Sequence, residues 1–171
     1  MPPFSLKMNH VAMSMPPAEI AGSRREELLA FYGRVFKWTE YQEDESFNEQ
    51  FAEELTALVG EKVETHPPLV MLTGIGFVFL YGLPRPMVTT PVDHFGFEVD
   101  TEEELDTILE RAREWAKDDP DVRIVDKAVS SYEIEEALQA QYPAKKVDLV
   151  NTYIGYRMPM AVEVQWYRWY D

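Results

Sequence analysis

The chain repeats itself. "KMNHVAMSM" (residues 7–15) and "VDHFGFEV" (92–99) each alternate like a strand around a histidine, and an amphipathic helical pattern and further strands follow each. The interval from His10 to His94 sets a period of about 84 residues. A unit of strand, helix and three strands used twice predicts an α+β fold of two βαβββ modules. Each helix would cover one face of its own curved mixed sheet, and the other faces would bury each other or enclose a metal or ligand cavity. Residues 1–171 read as a single domain, with module one over about 5–84, a helical insertion at about 43–66, and module two over about 91–170.

Local signals divide the modules further. After the strand at Lys7–Met15 and the stop at Pro16-Pro17, Ser23 and Glu26 have capping-box spacing, and Leu28, Leu29, Tyr32, Val35 and Phe36 share a helical face. Trp38–Gln42 suits a short strand. Residues 44–60 place Phe47, Phe51, Leu55, Leu58 and Val59 at helical spacing, with Gly60 as C-cap. Residues 69–82 are β-branched, aromatic and glycine-interrupted, which suits a strand or a bent hairpin with a kink at "TGIG". In module two, Val92–Val99 reads as a strand and Asp100 or Thr101 as the cap of a helix over 102–117. "DVRIVDKAV" reads as another strand, and Ser130 and Glu133 as a capping box opening a short helix to Gln141. Leu149–Arg157 and Ala161–Arg168 read as strands joined by a turn near Pro159.

Composition narrows the function. With 31 acidic and 16 basic residues, the formal charge of −15 repels phosphate backbones, so no nucleic-acid partner is expected. No apolar run reaches the length of a membrane span and no signal-peptide pattern opens the chain; a cytoplasmic protein without a membrane partner is expected. The absence of cysteine excludes disulfides, thiolate metal sites and a cysteine nucleophile.

In both histidine strands the large apolar residues lie opposite the histidine, which puts His10 and His94 on the inner faces. In "MAVEVQWYR", Glu163 shares its face with Ala161, Gln165 and Tyr167, while Met160, Val162, Val164 and Trp166 form the other. A carboxylate among valines is unfavourable to bury unless its charge is compensated. A metal ion held by His10, His94 and Glu163 would do so, leaving coordination positions open. Each residue also has a plainer reading: a structural histidine, or a glutamate paired with Arg157 or Lys7. The third histidine, His66, lies in a Pro-rich connection and reads as a loop residue.

These stretches resemble the vicinal oxygen chelate superfamily, which includes glyoxalases, extradiol dioxygenases, bleomycin- and fosfomycin-resistance proteins and methylmalonyl-CoA epimerase. "NHVAMSM" with "LLAFYGRVFKW" is similar to the family's first strand and helix. "DHFGFEVDTEEELDTILERA" is similar to the start of its second module, and "YRMPMAVEVQWY" to its closing strand. The resemblance spans nearly the whole chain except about 43–66. It implies His10, His94 and Glu163 as metal ligands, the three-ligand set of extradiol dioxygenases with iron(II) or manganese; zinc or nickel also suits the donors. Glyoxalase-type members add a ligand from the last strand of module one, where "IGFVFLYG" offers none. The dioxygenases carry a further acid-base histidine, for which only His66 remains. Tyr153 or Tyr156 could supply a hydroxyl instead; they lie on opposite faces, and Tyr153 is preferred as the catalytic group. Glu98, on the face of His94, is a second catalytic candidate.

The expected function is metal-dependent chemistry on a small-molecule substrate whose vicinal oxygens the metal chelates, as a dioxygenase-like oxidoreductase or a lyase or isomerase. The alternatives are a metal-free binding or resistance protein of the same fold, and an accessory subunit docking through the insertion. The resemblance also implies a homodimer.

Overall fold

Strands with one apolar and one mixed face build two four-stranded mixed sheets. The structure, a computed structural model, describes residues 9–42, 49, 52–54, 56–58, 60, 67–136 and 144–171. It divides into two compact units, Met1–Val88 and Thr89–Asp171.

The first unit contains β1 (His10–Met15), a 3-10 turn (Pro17–Ile20), α1 (Gly22–Phe36), β2 (Thr39–Glu40), β3 (Leu69–Leu72) and β4 (Phe77–Gly82). The strands lie in the order β1-β4-β3-β2, with β1 parallel to β4 and the other pairs antiparallel. Leu28, Phe31, Tyr32 and Val35 of α1 are buried, as are Met13, Met15, Val78 and Leu80 of the sheet. The bent hairpin over 69–82 is present. Gly74 turns it at φ +88, and Gly76 lies so close to the backbone before His10 that an added Cβ would stand 2.3 Å from the Asn9 carbonyl oxygen.

The second unit contains β5 (His94–Glu98), α2 (Glu102–Ala116), β6 (Val122–Glu133), β7 (Lys146–Tyr156) and β8 (Ala161–Tyr170). Its order is β5-β8-β7-β6, again with the first strand parallel to the last. The βαβββ repeat is therefore real in topology. Leu105, Leu109 and Ala112 of α2 are buried with Phe95, Val150, Ile154, Val162 and Val164, which makes that face of the sheet the core. Thr101 is the cap: its hydroxyl accepts from the Glu104 N–H at 3.1 Å, and the Glu104 carboxylate accepts from the Thr101 N–H at 3.3 Å.

Several expectations need correction. Ser23 does not cap α1, because Gly22 enters the helix at φ 54 and puts Ala21 at the N-cap, with no side-chain cap bond. Ser130 and Glu133 do not open a helix; they continue β6, where pairing with β7 over Ser130–Leu149 to Glu133–Lys146 wins over the local capping pattern. The Ser131 hydroxyl, which the capping pattern would have left near a helix start, donates to Asp148 at 2.6 Å across the strands. Both histidines open their strands instead of standing in the middle, and the ladder begins one residue earlier, at the carbonyls of Asn9 and Asp93.

Of the insertion, residues 52–54 and 56–58 are helical and Gly60 has φ +79. Leu58, expected on its apolar face, is 84% exposed. Phe47, Phe51, Leu55, Val59, His66 and Gln141 lie outside the described residues.

Removing the Thr101 hydroxyl tests how far α2 depends on its cap. Thr101→Ala should lower unfolding stability by about 1 kcal/mol, read as a lower urea midpoint at unchanged slope.

Candidate functional site

Strand parity sorts the second sheet into two faces. One carries the core under α2. The other carries His94, Gly96 and Glu98 of β5, Glu163 and Gln165 of β8, Asn151, Tyr153 and Gly155 of β7, and Arg123 and Val125 of β6. Because β5 and β8 are parallel neighbours with Gly96 opposite Glu163, the His94 ring reaches over the strand pair to the carboxylate. Their Nε2 and Oε2 atoms are 3.2 Å apart.

Glu163 is 4% exposed, and burial of a carboxylate is costly without partners. It has three. Asn151 donates through Nδ2 to Oε1 at 2.6 Å, His94 faces Oε2, and the Tyr153 hydroxyl is hydrogen-bonded to the carboxylate. Asn151 Nδ2 also reaches the Tyr153 hydroxyl at 3.2 Å, and the His94 and Tyr153 rings meet edge to face, 5.1 Å between centroids. Of the two alternative partners expected, Arg157 binds Asp121 at 2.9 Å instead, and Lys7 lies outside the described residues.

His94 is itself oriented. Its Nδ1 lies 2.8 Å from the Val92 carbonyl oxygen, which can only accept, so Nδ1 carries the proton. A neutral ring then turns an Nε2 lone pair toward Glu163 Oε2. Two acceptors at 3.2 Å repel each other unless a proton or a metal cation lies between them. The spacing suits a metal, since two ligands on adjacent positions of a first-row ion, each bonded at about 2.1 Å, are separated by about 3 Å. Among the described residues, no group of three His, Asp or Glu side chains that could hold an ion is assembled.

His10 stands in the first unit. It is exposed, its Nδ1 is 2.6 Å from the Asn9 side-chain oxygen, and its ring meets the edge of Phe79 at 5.4 Å. Register makes Phe79 the counterpart of Glu163: each lies two residues past the partner of the strand's opening histidine. Phe77, Phe79 and Tyr81 form an aromatic row where the second unit has its carboxylate.

The other candidates separate. Tyr153 lies on the site face, whereas Tyr156 is fully buried on the core face, its hydroxyl donating to Asp119 at 2.8 Å. Glu98 is exposed, pairs in register with Gln165, and its side chain makes no hydrogen bond or ion pair among the described residues. Beside His94 and Tyr153 opens a cavity of about 420 Å³ whose walls include Val92, Ile124, Val125 and Arg123. Sequence reasoning missed Asn151 and Arg123 as site residues. Parity with Tyr153 could have found Asn151, but Arg123 is placed only by the long-range pairing of β6 with β7.

No family model matches the chain, and no curated protein matches its sequence. Solved structures do. A glyoxalase family protein from Bacillus anthracis is similar over 98% of this chain and 100% of its own, at 12% identity and a TM-score of 0.53. The fosfomycin resistance protein FosX from Listeria monocytogenes is similar over 95% of this chain and 94% of its own, at 10% identity and a TM-score of 0.52. A single-substitution variant of FosX, solved with Mn(II) and 1S,2S-dihydroxypropylphosphonic acid, covers 94% of this chain and 92% of its own at 12% identity, TM-score 0.51. At these identities the likeness establishes the fold alone, the one this chain shares with the glyoxalase family protein and FosX.

The Tyr153 phenol is pushed up to about 12, chiefly by burial and next by its hydrogen bond to Glu163. The folded protein thus holds this proton more tightly than the unfolded chain does. Its contribution to stability is complete below pH 10.0, the ordinary phenol value, and is lost as the pH rises toward 12. In metal-free protein, Glu163→Gln should move the Tyr153 titration down toward the ordinary value, read by carbon-13 NMR of labelled tyrosine. An unmoved titration would show that the carboxylate does not act on the phenol.

Proposed function

We propose that this chain is a metal-dependent enzyme of the vicinal oxygen chelate type, acting on a small molecule that offers two neighbouring oxygens. One observation carries the reading: His94 Nε2 and Glu163 Oε2 face each other at 3.2 Å, beside a cavity of small-molecule size. His94 and Glu163 are two of the ligands and His10 is the third. Neutral imidazoles with one carboxylate suit iron(II), manganese, zinc or nickel. The Mn(II) in the FosX variant supports manganese beside iron(II) as the leading ions. A three-ligand, dioxygenase-like set is favoured, because Phe79 occupies the place from which the first unit would offer a fourth ligand. The bound ion would supply Lewis acidity toward the substrate's oxygens.

The chain's own residues do the rest. Asn151 fixes the Glu163 carboxylate, and the Val92 carbonyl fixes the His94 tautomer, so both donors are aimed before anything binds. Tyr153 keeps its proton at neutral pH and serves as a hydrogen-bond donor to negative charge developing on a substrate oxygen. Glu98, exposed on the same face, is the candidate base. The family's habit of pairing modules between chains makes a homodimer the expected assembly.

A second reading, a metal-free binding protein, draws support from the lack of an assembled three-donor group among the described residues. There a protonated His94 would pair with Glu163, and the same cavity would hold a ligand without chemistry. Elemental mass spectrometry of untagged protein separates the two. Near-stoichiometric metal in the wild type should fall more than about tenfold in His10→Ala, His94→Ala and Glu163→Ala while circular dichroism is unchanged. No metal after reconstitution, or equal metal in all variants, would give the binding reading the lead.

A further inference from the structure

The geometry points to Arg123 as the residue that receives an anionic group of the ligand, a carboxylate or phosphonate, in the cavity of the second unit. The inference rests on the reading above that this cavity is the ligand site, and it names the class of ligand. Arg123 lines the cavity together with His94 and Tyr153, and most of the remaining wall is apolar. Its guanidinium lies against Gly155, its register partner on β7. A Cβ built on Gly155 would stand 3.1 Å from Nη2 and 3.4 Å from Nε. A glycine at that point is what lets the guanidinium rest on the sheet face, next along the strand from Tyr153.

Among the described residues Arg123 has no carboxylate of its own. Arg113 binds Asp126 at 2.7 Å, Arg157 binds Asp121 at 2.9 Å, and Arg168 binds Glu102 at 2.6 Å, whereas the Arg123 side chain, like those of Arg85 and Arg111, makes no ion pair or hydrogen bond among the described residues. Of these three, Arg123 is the one that lines the cavity. A planar fork of donors held flat matches a carboxylate or phosphonate by two parallel hydrogen bonds. With a formal charge of −15, long-range attraction does not bring an anion here, so the local contact must supply the recognition. The ligand is then a small organic acid, its anionic end on Arg123 and its other oxygens directed to the His94–Glu163 end of the cavity.

Calorimetric titration with lactate and methylphosphonate, in a buffer free of carboxylate and phosphate, tests this, with propane-1,2-diol as the uncharged control. Wild type, Arg123→Met, Arg123→Lys and Gly155→Ala would be compared, each with manganese and with chelator. The expected result is binding of at least one anion by the wild type, weakened about tenfold or more in Arg123→Met and partly restored in Arg123→Lys. Gly155→Ala should also weaken it, by displacing the guanidinium. Diol binding should not respond to Arg123, and melting temperature should be unchanged in Arg123→Met because the side chain is exposed. Equal anion affinity in wild type and Arg123→Met, or no anion binding by the wild type under either condition, would overturn the assignment. Lactate binding that needs Arg123 but is the same with manganese and with chelator would leave the assignment standing while the metal reading fails.

Discussion

The carboxylate of Glu163 is the group around which the second unit's exposed sheet face is organised. A charge at 4% exposure in a strand of valines persists only because polar groups from other strands converge on it. Asn151 and Tyr153 come from β7 and His94 from β5, so the site depends on β8 lying between those strands. The sheet order β5-β8-β7-β6 is therefore a chemical requirement as well as a topological one. An exchange of strand neighbours would leave the carboxylate buried and unpaired.

The same βαβββ topology serves the first unit differently. His10 opens β1 as His94 opens β5, and each leads a strand parallel to the unit's last strand. Where Glu163 would fall by register, the first unit has Phe79, with Phe77 and Tyr81 beside it on the strand. The repeat has kept the backbone plan and a histidine at the head of each unit's first strand, while among the described residues only the second unit holds a buried carboxylate with its donors. Arg123 and the cavity beside His94 extend that asymmetry, since both belong to the second unit.

Much of this was legible in the residues. Period-two alternation placed Glu163 with Gln165 and Tyr167, and His94 with Gly96 and Glu98, because one buried face enforces strand register. Helix α2 was equally clear, since Thr101, Glu104 and the apolar residues Leu105, Leu109 and Ala112 all point to the same structure. The failures are local patterns overruled by long-range pairing. The Ser130–Glu133 spacing imitates a cap, but β6 gains more by extending its ladder with β7. Gly22, at positive φ, moved the entry of α1 away from Ser23. Parity already put Asn151 on the face of Tyr153, but Arg123 became visible as a site residue only once β6 lay beside β7.

With Nδ1 turned to the Val92 carbonyl, a neutral His94 ring should present an unprotonated Nε2 to Glu163, the feature on which the proposed metal site rests. Long-range proton–nitrogen NMR of histidine-labelled, metal-free protein tests it directly, with the His94 signals assigned by His94→Gln. In the neutral ring, Nδ1 should carry the proton and Nε2 should show the shift of a bare nitrogen. Added zinc should then move the Nε2 signal while the Nδ1 proton remains. A neutral ring protonated at Nε2, donating to Glu163 and indifferent to zinc, would contradict the account.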